Sequence, residues 1–179
     1  MTQNTHRKVA IVTGASRGIG AEIAKRLSAD GFAVVVNYAN SASEADSLVA
    51  QLVAEGGQAI AVKANVANAD EVRKMFEATE QQLGKIDVLV NNAGIMKTMP
   101  IADTSDELFE QTFAINTRGT FNTLREASAR MNDGGRIINF SSSALALNIP
   151  GYAIYNATKA AVESFTHVFA KELRGRKIT

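Results

Sequence analysis

Short apolar runs alternate along the chain with longer stretches in which apolar residues recur every three or four positions. Residues 9–12, 33–36, 59–62, 86–90 and 136–140 are rich in Val and Ile and show no strict alternation with polar residues. Such runs predict strands that are apolar on both faces, as in a buried parallel sheet. Between them the period is helical. Segment 19–29 sets Ile19, Ile23 and Leu27 at spacing four, 44–55 sets Leu48, Leu52 and Val53 on one side, and 69–83 carries Val72, Met75, Phe76, Thr79 and Leu83. Segments 107–116 and 120–131 read as two consecutive helices. Segment 155–173 reads as a last one, with Ala160, Ala161, Phe165, Val168, Phe169 and Leu173. Five strands alternating with helices predict an α/β fold: a doubly wound, Rossmann-like parallel sheet with helices on both faces and right-handed crossovers.

Local punctuation supports these boundaries. Ser43 precedes a helical segment opening at Glu44, and Asp103-Thr104-Ser105-Asp106 offers several N-cap candidates. Gly31, Gly56-Gly57, Gly84 and Gly134-Gly135 follow helical segments, where left-handed residues end helices. With 179 residues, no internal repeat and no linker, one domain is expected.

Composition narrows the function classes. A net charge of +1 gives no reason to expect nucleic acid or a charged membrane surface as a partner. The absence of cysteine excludes disulfides, thiolate metal sites and a cysteine nucleophile, and fits a reducing, cytoplasmic location. The start, MTQNTHRKVA, is polar and lacks the apolar core of a signal peptide. No apolar run reaches the roughly 18 residues that span a bilayer.

The first strand runs into Thr13-Gly14-Ala15-Ser16-Arg17-Gly18-Ile19-Gly20, where a helix begins. Glycine there has backbone uses: Gly14 can turn sharply, Gly18 can let a ligand approach, and Gly20 can let helix pack close to strand. The helix N-terminus then offers free N–H groups to a pyrophosphate. This placement points to a dinucleotide. An NAD site usually sets an Asp or Glu after the second strand for the ribose 2′-hydroxyl. Here that strand ends Val36-Asn37-Tyr38-Ala39-Asn40-Ser41, and no carboxylate occurs until Glu44. Arg17 can pair with a 2′-phosphate, and Asn37, Asn40 and Ser41 can add neutral donors, so NADP(H) is the expected cofactor.

Tyr155 and Lys159 stand four apart on one helix face. A tyrosine hydroxyl has a reference pKa of about 10, too high for efficient proton exchange at neutral pH. One positive charge at roughly 4–5 Å, with an effective dielectric near 20, favours a phenolate by about 3–4 kcal/mol before desolvation takes part of it back. Lys159 can supply that charge. Ser141, Ser142 and Ser143 lie just past the fifth strand, where a hydroxyl can meet a substrate oxygen, and the residues alone do not choose among them. Asn91-Asn92-Ala93-Gly94 follows the fourth strand at the same rim.

Taken together, Thr13-Gly14-x3-Gly18-x-Gly20, Asn91-Asn92-Ala93-Gly94, Asn116, Ser142 and Tyr155-x3-Lys159 resemble the short-chain dehydrogenase/reductase family, classical subfamily, in order and spacing. The resemblance implies reversible hydride transfer between NADPH and a carbonyl or alcohol. Tyr155 would be the general acid/base, Ser142 would hold the substrate oxygen, and Lys159 would bind the nicotinamide ribose and favour the Tyr155 phenolate. Asn116 would hold a water that relays protons from Lys159. The cofactor would lie on Gly14, Ser16, Arg17, Gly18, Ile19 and Gly20, on Asn37 and Tyr38, on Asn65 and Val66, on Asn92, Ala93 and Gly94, and on Tyr155 and Lys159. Arg17 and Asn37 resemble the NADP-preferring branch, 3-oxoacyl-carrier-protein reductases above all. Such enzymes are commonly tetramers or dimers, joined partly through the helices at 120–131 and 155–173. Where the family usually has Asp-Val after the third strand, this chain has Asn65-Val66, whose carbonyl can still accept from an adenine amino group. The family continues beyond the region matched here, so a longer parent chain is expected. The alternatives are a non-catalytic dinucleotide-binding protein and an epimerase or dehydratase on the same fold. Ala144-Leu145-Ala146-Leu147 favours an uncharged substrate.

Overall fold

The computed structural model describes residues 7–179; the polar start, read as free of a signal peptide, lies largely in residues 1–6, outside the described residues. Strands β1 (Val9–Val12), β2 (Ala33–Tyr38), β3 (Gln58–Lys63), β4 (Ile86–Asn91) and β5 (Met131–Asn139) form one parallel sheet in the order β3-β2-β1-β4-β5. The chain winds outward from β1 to β3, returns to pair β4 on the other edge of β1, and continues to β5. The reversal opens a crevice at the carboxyl ends of β1 and β4, the place where such sheets bind ligands.

Strand alternation sorts the core into two layers. Val9 and Ile11 pack with Val72, Met75 and Phe76 of α3 (Ala69–Gln82) and Ala127 of α5 (Gly119–Arg130). Ala10 and Val12 pack with Ala21 and Ala24 of α1 (Gly18–Ala29) and Leu48 and Leu52 of α2 (Ala42–Ala54). Both faces of β1, β2 and β4 are thereby covered, which is why those strands are continuous apolar runs. Phe76 is fully buried, and its truncation to alanine would cost about 3–5 kcal/mol.

The outer strands differ from expectation. Only Ala59 of β3 is buried, and Ile138 of β5 is 49% exposed. Their Val and Ile content reflects strand propensity, not two covered faces. β5 also begins before residue 136. Met131 pairs with Ile86, residues 132–135 bulge out, and Arg136 pairs with Val88. Gly134, expected behind a helix, sits in this bulge. Asp87 pins it, accepting from Asn132 Nδ2 at 2.9 Å and from Val9 N at 2.8 Å. Thr179 hydrogen-bonds to the outer edge of β5 through Ile137 and Gly135.

Helix ends follow the sequence more closely. Gly31, Gly56 and Gly84 take positive φ. Ser105 caps α4 (Asp106–Phe113) by accepting from Leu108 N at 3.3 Å. The N-cap of α2 is Ser41, and Ser43 falls inside its first turn. Asn68, not anticipated, caps α3 by accepting from Asp70 N and Glu71 N. The two helices expected over 107–116 and 120–131 form one continuous rod. α4 passes through a π-helical turn, Ala114–Arg118, directly into α5. Gly119 lets that rod pass close to the β3–α3 connection, since a Cβ there would lie 2.6 Å from Val66 Cγ2. Short α6 (Ala144–Leu147) and long α7 (Ala153–Glu172) complete the site. Among the described residues, no helix is long and apolar enough to cross a membrane.

Candidate active site

The loop from β1 to α1 is shaped by contact with the segment after β4. Gly14 takes φ +62°, and a Cβ there would lie 2.9 Å from Ala93 Cα. Gly20, in the first turn of α1, would place a Cβ 2.5 Å from Asn92 Nδ2 and 2.7 Å from Gly14 O. Side chains with a Cβ are therefore excluded at both points by backbone and by a committed amide. Thr13 and Asn92 fasten the two segments. Thr13 Oγ1 accepts from the Asn92 and Ala93 amides at 3.1 and 3.0 Å, and Asn92 Nδ2 donates to the carbonyls of Thr13 and Gly14. Arg17 stands at the N-cap of α1 with no side-chain cap bond, and the first turn carries no acid. The end of α1 thus faces the crevice with its dipole unopposed.

These segments enclose a cavity of about 430 Å³ at the carboxyl rim. Gly14, Ser16, Arg17, Ile19, Tyr38, Asn65, Val66, Ala93 and Gly94 line it, with Asn40, Ser41 and Ile115. Arg17 is the one charged residue in that lining, and no carboxylate belongs to it. Gly18 flanks it with open space where a Cβ would be.

Two residues expected at the cofactor, Asn37 and Asn92, have already spent their side-chain amide hydrogens. Asn37 touches the cavity but is buried. Its Nδ2 donates to the carbonyls of Val62 and Ala64 at 3.2 and 3.0 Å, and its Oδ1 accepts from Gly14 N at 3.1 Å. It has no hydrogen left for a phosphate; its work is to tie β2 to β3 and to the glycine loop. The Asn92 amide is likewise committed to Thr13 and Gly14, so Asn92 holds the loop and does not donate through that amide to a ligand. Asn65 Oδ1 already accepts from Ala67 N at 3.0 Å, which leaves part of its acceptor capacity for an adenine.

The second half of the site is built on α7. Tyr155 is half-buried and Lys159 is buried, with Nζ 5.7 Å from the centre of the Tyr155 ring. Lys159 Nζ donates to Phe140 O, just past β5, at 2.7 Å. Burial pushes the Lys159 ammonium below its ordinary pKa. The ammonium is not part of the cavity lining but stands beside Gly94, which is: a Cβ on Gly94 would lie 3.8 Å from Nζ and 3.3 Å from Asn116 Oδ1. Arg17 and Lys159 thus stand at two places on one crevice, the first at the α1 end and the second by Gly94.

The profile of the short chain dehydrogenase family matches residues 8–179. The chain belongs to that family. It is 47% identical over 174 residues to a 3-oxoacyl-[acyl-carrier-protein] reductase from Synechocystis, covering 96% of this chain and 70% of that one. Among solved structures it superposes on a short chain dehydrogenase from Burkholderia cenocepacia in complex with NADP, with a TM-score of 0.92 and 39% identity, covering 98% of this chain and 73% of that one. A blue fluorescent protein from a metagenomic library, in complex with NADPH, gives a TM-score of 0.93 and 42% identity, covering 99% and 73%. This short-chain dehydrogenase is accordingly a dinucleotide-dependent oxidoreductase with a Rossmann-like fold.

Asn116 lies in the π-turn of this dehydrogenase and is buried. Its Oδ1 accepts from Ile95 N at 2.8 Å, and its Nδ2 donates to Ile95 O at 2.9 Å and Thr158 Oγ1 at 3.1 Å. Both side-chain amide hydrogens of Asn116, the residue expected to hold a relay water, are spent, while Oδ1 keeps part of its acceptor capacity. Asn116 splints the segment after β4 to α7, one residue from Lys159, and no amide hydrogen remains for a water. The three serines are distinguished by their partners. Ser141 Oγ donates to Glu163 Oε1 at 2.5 Å, Ser143 is exposed at the start of α6, and Ser142 Oγ accepts from Ala144 N at 3.2 Å, keeping its own hydrogen to give. Sequence reasoning places Thr13 only within the glycine motif and misses Thr158 and Asn156; what each of them bonds depends on partners distant in the chain.

Proposed function

We propose that this short-chain dehydrogenase is an NADPH-dependent ketoreductase. It moves a hydride between NADP(H) and a small-molecule carbonyl or alcohol. The observation that carries the reading is the cavity itself. Among the described residues it is lined by one cation and no carboxylate, and its lining residue Gly94 lies beside Lys159, on the helix that carries Tyr155.

The residues present suit the cofactor. The N-terminus of α1 and the glycine loop would hold the pyrophosphate. Arg17, with Asn40 and Ser41, would take the 2′-phosphate, Asn65 and Val66 the adenine, and Gly94 and Lys159 the nicotinamide ribose. When bound, NADPH supplies the hydride for the carbonyl carbon. Tyr155 gives its hydroxyl proton to the substrate oxygen. Ser142 donates a hydrogen bond to the same oxygen, which holds it as negative charge develops. Lys159 keeps a positive charge beneath the Tyr155 ring. The relatives support this reading: a 3-oxoacyl-[acyl-carrier-protein] reductase is among them, and two structural neighbours carry NADP or NADPH. The exposed Phe121 of α5 and Val168 of α7, beside Phe165, form an apolar face that suits a second copy of the chain.

NADPH oxidation with a panel of uncharged ketones tests the function, with Tyr155→Phe as control. Turnover by the parent chain and a loss of about 10²–10⁴-fold in the variant, with NADPH binding retained, is expected. Binding of NADPH without oxidation of any panel member would instead favour a non-catalytic dinucleotide-binding protein.

A further inference from the structure

The segment carrying Ser142 is fastened to α7 on both sides. Upstream, Lys159 Nζ donates to Phe140 O at 2.7 Å, and Glu163 accepts from Ser141 at 2.5 Å. Downstream there is a different tie: Asn156 Nδ2 donates to Ala144 O at 3.0 Å. Ala144 N in turn donates to Ser142 Oγ at 3.2 Å. Ala144 therefore stands between two groups. Its carbonyl is held by the residue next to Tyr155, and its amide orients the Ser142 hydroxyl.

A second feature separates Asn156 from an ordinary helix residue. Its Oδ1 is buried and has no hydrogen-bond partner in the protein. A buried unsatisfied acceptor costs stability; alanine here would remove that cost but leave the Ala144 carbonyl without its donor, so the two effects offset one another. Asn156 is thus poorly explained by folding alone. It is well explained by what its other atom does.

We propose that Asn156 is a positioning residue for the reaction: through Ala144 it fixes the Ser142 hydroxyl relative to Tyr155. This rests on the ketoreductase reading above. Tyr155 and Asn156 are consecutive on one rigid helical turn, so a bond from Asn156 to the Ser142 turn makes the two oxygen-binding groups move as a unit. Without it, the downstream side of the serine turn is free to shift. A displacement of about 1 Å at a reacting group can cost on the order of 100-fold in rate. Asn156 is not among the residues lining the cavity, and its side-chain amide donates to the serine turn, so NADPH binding is expected to survive its replacement.

A double-mutant cycle tests the proposal. Asn156→Asp keeps the shape but replaces the donor with an acceptor facing the Ala144 carbonyl. It is compared with the parent chain, and again in a Ser142→Ala background, following kcat, the KM values and NADPH binding by fluorescence. The expected result is a 10- to 100-fold loss of kcat in the parent background with NADPH binding unchanged, shrinking to less than about 3-fold once Ser142 is gone. Equal losses in both backgrounds would overturn the proposal, because a general structural defect does not depend on Ser142. If the aspartate variant does not fold, Asn156→Ala carries the same cycle without adding charge. Failure of the ketoreductase reading looks different: the parent chain itself would then turn over no ketone.

Discussion

On the proposed reading, replacing Arg17 with alanine should convert an NADPH-preferring enzyme into one that barely distinguishes NADPH from NADH. Arg17 is exposed, makes no side-chain cap bond at α1, and takes part in no ion pair among the described residues. Its removal orphans nothing, so the thermal midpoint should stay within about a degree of the parent's. A hydrogen bond to a charged group contributes about 1.5–3 kcal/mol, and exposure places Arg17 toward the lower end. A loss of about 1.5–2 kcal/mol corresponds to a 10- to 30-fold fall in kcat/KM for NADPH. NADH lacks the phosphate, so its kcat/KM should be nearly unchanged. Ionic strength gives a second reading. At 1 M salt the screening length is about 3 Å, and the parent's own preference should shrink toward the variant's. Initial rates with both cofactors at low and high salt decide it. Equal falls for NADPH and NADH would mean that Arg17 shapes the loop without sensing the phosphate, and the reasoning would fail. Adding Ala39→Asp, at the first cavity-lining position beyond β2, should carry the preference past parity to NADH by repelling a 2′-phosphate.

Other substitutions probe the scaffold. Asn37→Asp keeps the acceptor for Gly14 N but sets a carboxylate against the Val62 and Ala64 carbonyls; urea unfolding should show a loss of about 2–5 kcal/mol, and a parent-like midpoint would show that these bonds contribute little. Gly20→Ala should cost about 1–3 kcal/mol and weaken NADPH binding, because its Cβ meets Asn92 and the Gly14 carbonyl; an unchanged dissociation constant would show that the loop shifts freely. Lys159 is held below its usual 10.5 by burial, so in the window between its folded value and 10.5 the unfolded chain binds more protons. Its penalty is present in full below that window and is relieved as pH rises through it. The stability of the parent relative to Lys159→Met should therefore increase across the window, and a flat difference would contradict the burial argument.

The arrangement of strands and helices was legible because each carries its own period. β1, β2 and β4 are covered on both faces and are continuous apolar runs, and the helices that cover them repeat at three and four. What could not be read were the margins. The run at 136–140 carries two isoleucines and a phenylalanine and reads as a strand, but a sequence window does not say which strand ends up outermost. The bulge at 132–135 was hidden for a related reason: Gly134 looks the same after a helix as inside a distorted strand, and only the Asp87 contact separates the two. The π-turn at 114–118 was invisible because it is a change in hydrogen-bond register within a continuous helical run.

At the site, the sequence offers candidate residues but not their partners, and the amides show why. Asn37, Asn92 and Asn116 each stand where a ligand donor is wanted, and each has spent both amide hydrogens on backbone or side chains from another part of the chain. An amide carries two donors and one acceptor in a flat, short group, so it can bridge two strands or two loops at once. A rim where five strand ends and several loops converge is full of backbone carbonyls and amides that need such partners. A glycine loop and a cation can be assigned to a ligand from sequence because backbone conformation and charge are local properties. An asparagine cannot, because whether its hydrogens face the crevice or the next loop is decided by topology. On the proposed reading, the groups left to meet a ligand are the main-chain end of α1, the guanidinium of Arg17, Asn40, Ser41, the half-spent carbonyl of Asn65, Lys159 and the hydroxyls of Ser142 and Tyr155, while Asn37, Asn92 and Asn116 keep those groups in register.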